Sequence, residues 1–102
     1  MVRQRVIWSS RAKLDLFEIL DFYYKRNGSK TYSFKLNSSF RQAIKLLEKY
    51  PQIGIQTDIP AIRVLIEANF AIFYEIKSEL IEISGIWDCR QSPESFKLTS
   101  RL

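Results

Sequence analysis

Residues 61–88 read Ala61-Ile62-Arg63-Val64-Leu65-Ile66-Glu67-Ala68-Asn69-Phe70-Ala71-Ile72-Phe73-Tyr74-Glu75-Ile76-Lys77-Ser78-Glu79-Leu80-Ile81-Glu82-Ile83-Ser84-Gly85-Ile86-Trp87-Asp88, and this stretch decides the fold. Three runs rich in β-branched and aromatic residues, 61–67, 70–76 and 79–88, are each bounded by turn formers and predict three consecutive strands. Glu67-Ala68-Asn69 suits a three-residue hairpin loop with Asn69 in the left-handed region, and Lys77-Ser78 lies at a second tight turn. Strand alternation sorts the side chains into two rows. A three-residue first turn sets Val64 opposite Ile72 and Arg63 opposite Phe73. One row is then Ile62, Val64, Ile66, Phe70, Ile72, Tyr74, Ile76, Ile81, Ile83, Gly85 and Trp87, almost wholly apolar and expected to meet a covering layer. The other carries Arg63, Phe73, Glu75, Glu82, Asp88 and Arg90. With Trp87 at its flank, that mixed-charge row is a candidate binding surface. Ordinary surface ion pairing, worth about 0–1 kcal/mol per pair, explains the same charges without a ligand.

Upstream of the strands the period changes. Residues 3–8 read as a short strand, and Ser9 and Ser10 offer hydroxyls to cap a following helix. From Arg11 to Asn27, Ala12, Leu16, Ile19 and Tyr23 form a helical stripe that Leu14, Phe17 and Leu20 widen, so this helix packs on two sides. Asn27-Gly28 supplies a left-handed stop. A second helix over about 30–50 places Leu36, Phe40, Ala43, Ile44 and Leu47 on one face, and Pro51 ends it. So short a connection makes the pair an antiparallel hairpin. The expected architecture is α+β with order βααβββ. It is one domain over 1–102, its helical hairpin packed on one face of a mainly antiparallel four-stranded sheet. The polar tail, 94–102, is expected to fray or to be ordered by a partner.

Composition narrows the chemistry. The chain of 102 residues contains no His and one Cys. That removes His-based acid/base catalysis, Ser-His-Asp and Cys-His nucleophiles, Cys/His zinc sites and an internal disulfide framework, and it fits a reducing cytosol. No metal ligand set and no cofactor motif is expected. Val6-Ile7-Trp8 is followed by polar residues, and the longest apolar run is Phe70–Tyr74, short of a signal core or a membrane span. The reading is of a soluble, cytoplasmic protein with no membrane partner. Residues 1–50 hold eleven Lys/Arg against four Asp/Glu (+7), and 51–102 hold five against seven (−2), summing to the net +5. A basic half attracts nucleic acid or an acidic protein. Solvated helix faces account equally for Lys13, Lys25, Arg26, Lys35, Arg41, Lys45 and Lys49.

Several segments, in order, resemble the RelE/ParE superfamily, the toxin subunits of bacterial type II toxin–antitoxin pairs. They are Val6-Ile7-Trp8-Ser9 with Ala12 and Tyr23-Tyr24; Leu47-Glu48-Lys49-Tyr50-Pro51 with Gly54; Ile62-Arg63-Val64-Leu65; Ala71-Ile72-Phe73-Tyr74-Glu75-Ile76; and Ile81–Ile86 followed by Asp88-Cys89-Arg90-Gln91-Ser92-Pro93. The resemblance runs over roughly residues 3–94 and implies a growth inhibitor with a role in plasmid stabilization. It also implies a cognate antitoxin partner whose C-terminal segment wraps the toxin. RelE-like members cut mRNA inside the ribosome, and ParE-like members poison DNA gyrase.

RNA cleavage in that superfamily has a ribose 2′-OH attack the adjacent phosphate, which needs a base, an acid and cations. Arg63 and Arg90 match the superfamily's arginines and suit a phosphate. Tyr74, the only tyrosine after residue 50, falls in the covered row, and Gln91-Ser92-Pro93 contains no aromatic. Glu48 or Asp58 would have to serve as base, and nothing in the sequence positions either. Two arginines stabilise charge without moving protons, so the reading favours a ParE-like toxin that binds its target. The alternatives are a ribosome-dependent endoribonuclease using Arg63 and Arg90 as catalytic residues, and an inactive or adaptor relative. Trp8 and Trp87 read as core aromatics, Cys89 as an incidental thiol despite its cationic neighbour, and Gly54 as a turn whose loop contacts a target.

Overall fold

The extended run Arg5–Trp8 (β1) stops where Ser9 leaves the strand and accepts a hydrogen bond from the Ala12 amide at 3.0 Å, capping α1, Ser10–Asn27. In this computed structural model, which describes residues 4–90, Gly28 ends α1 with φ +68° and donates its amide to Tyr24 O. Both the cap and the stop fall where the sequence reading sets them. α2, Thr31–Lys49, runs back beside α1, and Ser33 Oγ donates to Leu20 O at 2.8 Å to pin the hairpin near its turn. Then come β2 (Ile55–Gln56), β3 (Ile62–Glu67), β4 (Phe70–Ile76) and β5 (Leu80–Asp88).

The sheet has five strands in the order β1-β5-β4-β3-β2, with β1 parallel to β5 and the other pairs antiparallel. The α+β class and the helical hairpin agree with the sequence reading. The fifth strand, β2, comes from the loop after Pro51, where two residues pair with Val64 and Arg63. A two-residue strand leaves no alternation pattern to read.

The main core lies between hairpin and sheet: Ala12, Tyr23, Leu36, Phe40, Ala43 and Leu47 from the helices meet Phe70, Ile72, Tyr74, Ile81, Ile83 and Ile86. Two local features change which strand residues reach it. The β3–β4 turn has two residues, Ala68 and Asn69, and Ala68 takes the positive φ of +54°. Val64 therefore pairs with Phe73, and Arg63 with Tyr74. This one-residue difference exchanges the faces of β3, as the period of two demands. Ile62, Val64 and Ile66 leave the helix side, and Arg63, Leu65 and Glu67 enter it. The second feature is a β-bulge: Phe73 pairs with Gly85 but Tyr74 with Ile83, leaving Ser84 extra in β5. Alternation is interrupted, so Ile83 and Ile86, three apart, both enter the main core, and Asp88 follows Ile86 to the helix side. Gly85 and Trp87 pass to the opposite face. There a second small cluster of Ile62, Ala71 and Phe73, with Ile59, Val64 and Trp87 against it, closes much of the expected charged surface.

Candidate functional site

The bulge is held by α1. Ile86 N donates to Asp15 Oδ2 at 3.0 Å, and Ser9 Oγ donates to Ser84 O at 3.2 Å. Asp15 is buried, and Arg11 Nε lies 3.3 Å from its Oδ1, which offsets part of the cost of a buried carboxylate. The grip aims the end of β5 at α1. Asp88 there accepts a hydrogen bond from Tyr23 Oη at 2.9 Å, and its Oδ1 takes both the Arg90 amide (2.9 Å) and Arg90 Nε (3.1 Å). Arg90 Nη2 donates to Tyr23 Oη, and the guanidinium carbon lies 5.0 Å from the Tyr23 ring centroid and 5.5 Å from that of Phe70. Asp88 and Arg90 therefore form a corner with Tyr23 on the helix side, beside a hollow of about 130 Å³ that Glu18, Phe22 and Trp87 also line.

Arg63 sits elsewhere. Its Nη1 donates to Gly54 O at 2.7 Å and to Gln52 O at 3.2 Å, fixing the loop after α2. Tyr74 completes that lock: its hydroxyl donates to Pro51 O and accepts from Gly54 N, both at 2.8 Å. Burial pushes the Tyr74 hydroxyl above its ordinary 10.0, outweighing the Gly54 amide and the Arg63 charge, which pull it down. Gly54 has no room for a side chain, since a Cβ would lie 2.5 Å from Tyr74 Oη and 2.8 Å from Val64 O. Glycine is required there by close approach.

The expected surface thus divides into three groups. Arg63 belongs to the loop lock. Phe73 and Trp87 pack together on the face away from the helices, where Glu75 pairs across the strands with Glu82 and Lys77 Nζ lies 3.3 Å from Glu82 Oε1. Asp88 and Arg90 form the corner with Tyr23. Arg63 pairs with Tyr74 and Asp88 with Phe70, four residues apart on β4; that is about 13 Å along the strands and two strand spacings across. The two arginines do not converge on one phosphate. Glu48 lines a groove between the helices, and Asp58 is an exposed loop residue. The Cys89 thiol is pushed up, by partial burial first and by the Asp88 carboxylate second, so it stays protonated at neutral pH. Gln91-Ser92-Pro93 and the tail 94–102 lie outside the described residues. Among those described, no group of three His, Cys, Asp or Glu side chains is placed to hold a metal ion, and no helix is long and apolar enough to cross a membrane.

Sequence reasoning missed Asp15 and the polar end of Tyr23. Asp15 did leave a signal: a carboxylate three residues after Ala12 and four before Ile19 interrupts the inward stripe of α1, and an inward carboxylate needs a buried donor.

Comparison with known proteins bears on this frame. The family described as the ParE toxin of type II toxin–antitoxin systems, parDE, matches residues 6–93. A solved structure titled as the chromosomal ParDE toxin–antitoxin system from P. aeruginosa superposes with a TM-score of 0.72 at 23% identity, covering 82% of this chain and 94% of that one. At that identity the likeness speaks for the fold. No curated protein matches the sequence. With the family match spanning β1 through the end of β5, the chain belongs to the ParE toxin family of type II toxin–antitoxin systems.

Proposed function

We propose that this toxin arrests growth by binding its target, DNA gyrase, and that the antitoxin which the family implies neutralises it. The single observation that carries the reading is the occupation and separation of the two arginines. Arg63 spends Nη1 on two backbone carbonyls, and Arg90 is paired with Asp88 and stacked over two rings. A nuclease would need both cations on one scissile phosphate with a proton carrier beside them. Here Tyr74 is tied to Pro51 and Gly54, and Tyr23 to Asp88. On this reading Trp87 and Arg90 face the target at the end of β5, with Phe73, Glu75, Glu82 and Asp88 supporting them. Arg63 is a positioning residue that fixes the loop carrying the exposed Ile53 and Ile55.

Induced expression without the antitoxin gene tests the proposal. Growth arrest with DNA damage and intact transcripts is expected. Codon-linked transcript cuts would replace it with the ribosome-dependent reading, and no growth defect would make the chain an inactive relative.

A further inference from the structure

The outward face of α2 carries charge of one sign. Leu36, Phe40, Ala43 and Leu47 turn to the core, and over about a third of the circumference opposite them stand the exposed Lys35, Arg41, Lys45 and Lys49. Ser38 and Gln42, also exposed, lie between these cations, with Phe34 at one end of the arc. Glu48 is the helix's one carboxylate; it is half-buried and lines the groove toward α1 with Trp8 and Ile44, where Arg41 and Lys45 form the border. Counted against the four cations, it leaves the face at +3. Among the described residues none of the four has a carboxylate within ion-pair distance, and Lys49 Nζ lies 5.5 Å from the Tyr50 ring centroid, which leaves its charge in place. The companion helix is built differently. In α1, Arg11 and Asp15, and Asp21 and Lys25, set opposite charges four residues apart. In α2, Arg41, Lys45 and Lys49 set like charges at that same spacing, which weakens a helix and is not what a merely solvated face requires.

We propose that this face of α2 binds the phosphate backbone of duplex DNA. The cationic arc stands on its own geometry; the choice of DNA over RNA rests on the reading of gyrase, which works on DNA, as the target. From Lys35 to Lys49 the arc runs about 21 Å along the helix, and one strand of a duplex offers a phosphate about every 3.4 Å of its axis, so about six lie within its length. The four cations neutralise phosphates, and the Ser38 hydroxyl and Gln42 amide add donors of the kind that fix a protein on the backbone without reading bases. An anionic membrane fits less well, because Phe34 stands at one end of the arc and an interfacial helix needs an apolar face to insert. Single strands fit less well too, since the arc has no row of aromatic rings for bases to stack on. The arc shares no residue with the end of β5, so a toxin held to gyrase through Trp87 and Arg90 keeps this face for the DNA that gyrase holds.

The test uses the intact chain and, as probe, a fluorescent DNA duplex of about 30 base pairs and arbitrary sequence, with binding read by anisotropy over a salt series. Four phosphate contacts predict a slope of log affinity against log salt of about −3.6, a loss of about a hundredfold between 50 and 200 mM. Lys35→Gln/Arg41→Gln/Lys45→Gln/Lys49→Gln is expected to bring that slope near zero and to bind about a hundredfold more weakly at 50 mM, and Lys45→Gln alone to lower the slope by about one. Arg5→Gln/Lys25→Gln/Arg26→Gln/Lys77→Gln removes as many charges elsewhere and is expected to stay within about threefold of wild type; circular dichroism checks each fold. An equal loss in both fourfold variants would reduce the effect to net charge and overturn the arc, as would a wild-type chain that leaves the duplex unbound at 50 mM salt. An RNA duplex of the same length bound about tenfold more tightly, or vesicles of phosphatidylcholine and phosphatidylglycerol bound in place of either duplex, would overturn DNA as the occupant. Gyrase is tested apart, by supercoiling: the arc variant is expected to need about tenfold more toxin than wild type at low salt, and inhibition unchanged in that variant would overturn a role for the arc at gyrase. A wild-type chain that leaves supercoiling untouched would overturn the gyrase reading, and the duplex measurement would still decide the arc.

Discussion

Tyr74 closes the loop after α2 through one hydroxyl that donates to Pro51 O and accepts from the buried Gly54 amide. Tyr74→Phe keeps the ring and strands both partners, so it should cost about 1–3 kcal/mol, read as a lower midpoint in urea. Its ionisation adds a pH effect. Because burial raises the hydroxyl above 10.0, the folded chain holds that proton when the unfolded chain has begun to lose it. The contribution is intact below pH 10 and is lost as pH rises through the folded value. Wild type should lose stability above about pH 10 more steeply than Tyr74→Phe; parallel curves would remove Tyr74 as the cause. Gly54→Ala tests the same lock by sterics. Its Cβ would meet the Val64 carbonyl, which is backbone and cannot swing aside, so a loss of about 1–3 kcal/mol is expected in thermal unfolding.

At the level of elements, the turn and the bulge decide what each strand presents. Ala68 bears a positive φ at the first of two central turn positions, the pattern of a type II′ turn, where glycine is the usual residue. Ala68→Gly should therefore stabilise by about 0.5–1 kcal/mol, as strain relief exceeds the added freedom of the unfolded chain; a lower melting temperature would contradict the turn assignment. The bulge depends on Asp15. Asp15→Ala leaves Ile86 N without its acceptor and Arg11 without its partner, and a loss of about 2–3 kcal/mol is expected. Hydrogen exchange should show the Ile86 amide losing protection first. These two devices also explain how far the sequence could be read. Helix ends at Ser9 and Gly28, the hairpin, and the strand runs at 61–67, 70–76 and 79–88 were legible because each has its own local chemistry. The face of Arg63 was not, because Ala68-Asn69 offers no glycine to advertise a two-residue turn, and a loop of three fits the same letters. Asp88 was misplaced for a related reason: Ser84 is extra only relative to β4, and the side chains that bind the bulge, Ser9 and Asp15, lie 75 and 71 positions away along the chain. The candidate site was legible as residues rather than as geometry, and its arginines part company once register and bulge are set.

For the whole molecule, charge and sheet together set what the toxin can do. The basic half is carried largely by the hairpin, and β3–β5 hold Arg63 and Arg90 apart, each hydrogen-bonded to different partners within the chain. On the proposed reading the toxin acts by occupying a protein surface, so its action on a cell should be stoichiometric with a protein target. The most direct measurement is DNA supercoiling by purified gyrase titrated with the purified chain, with a defined RNA present in the same reaction and ribosomes supplied in a parallel one. Loss of supercoiling at toxin levels comparable to gyrase, with the RNA whole in both reactions, is the predicted result. Undiminished supercoiling together with RNA cut in the ribosome reaction, and abolished by Arg63→Ala or Arg90→Ala, would contradict it.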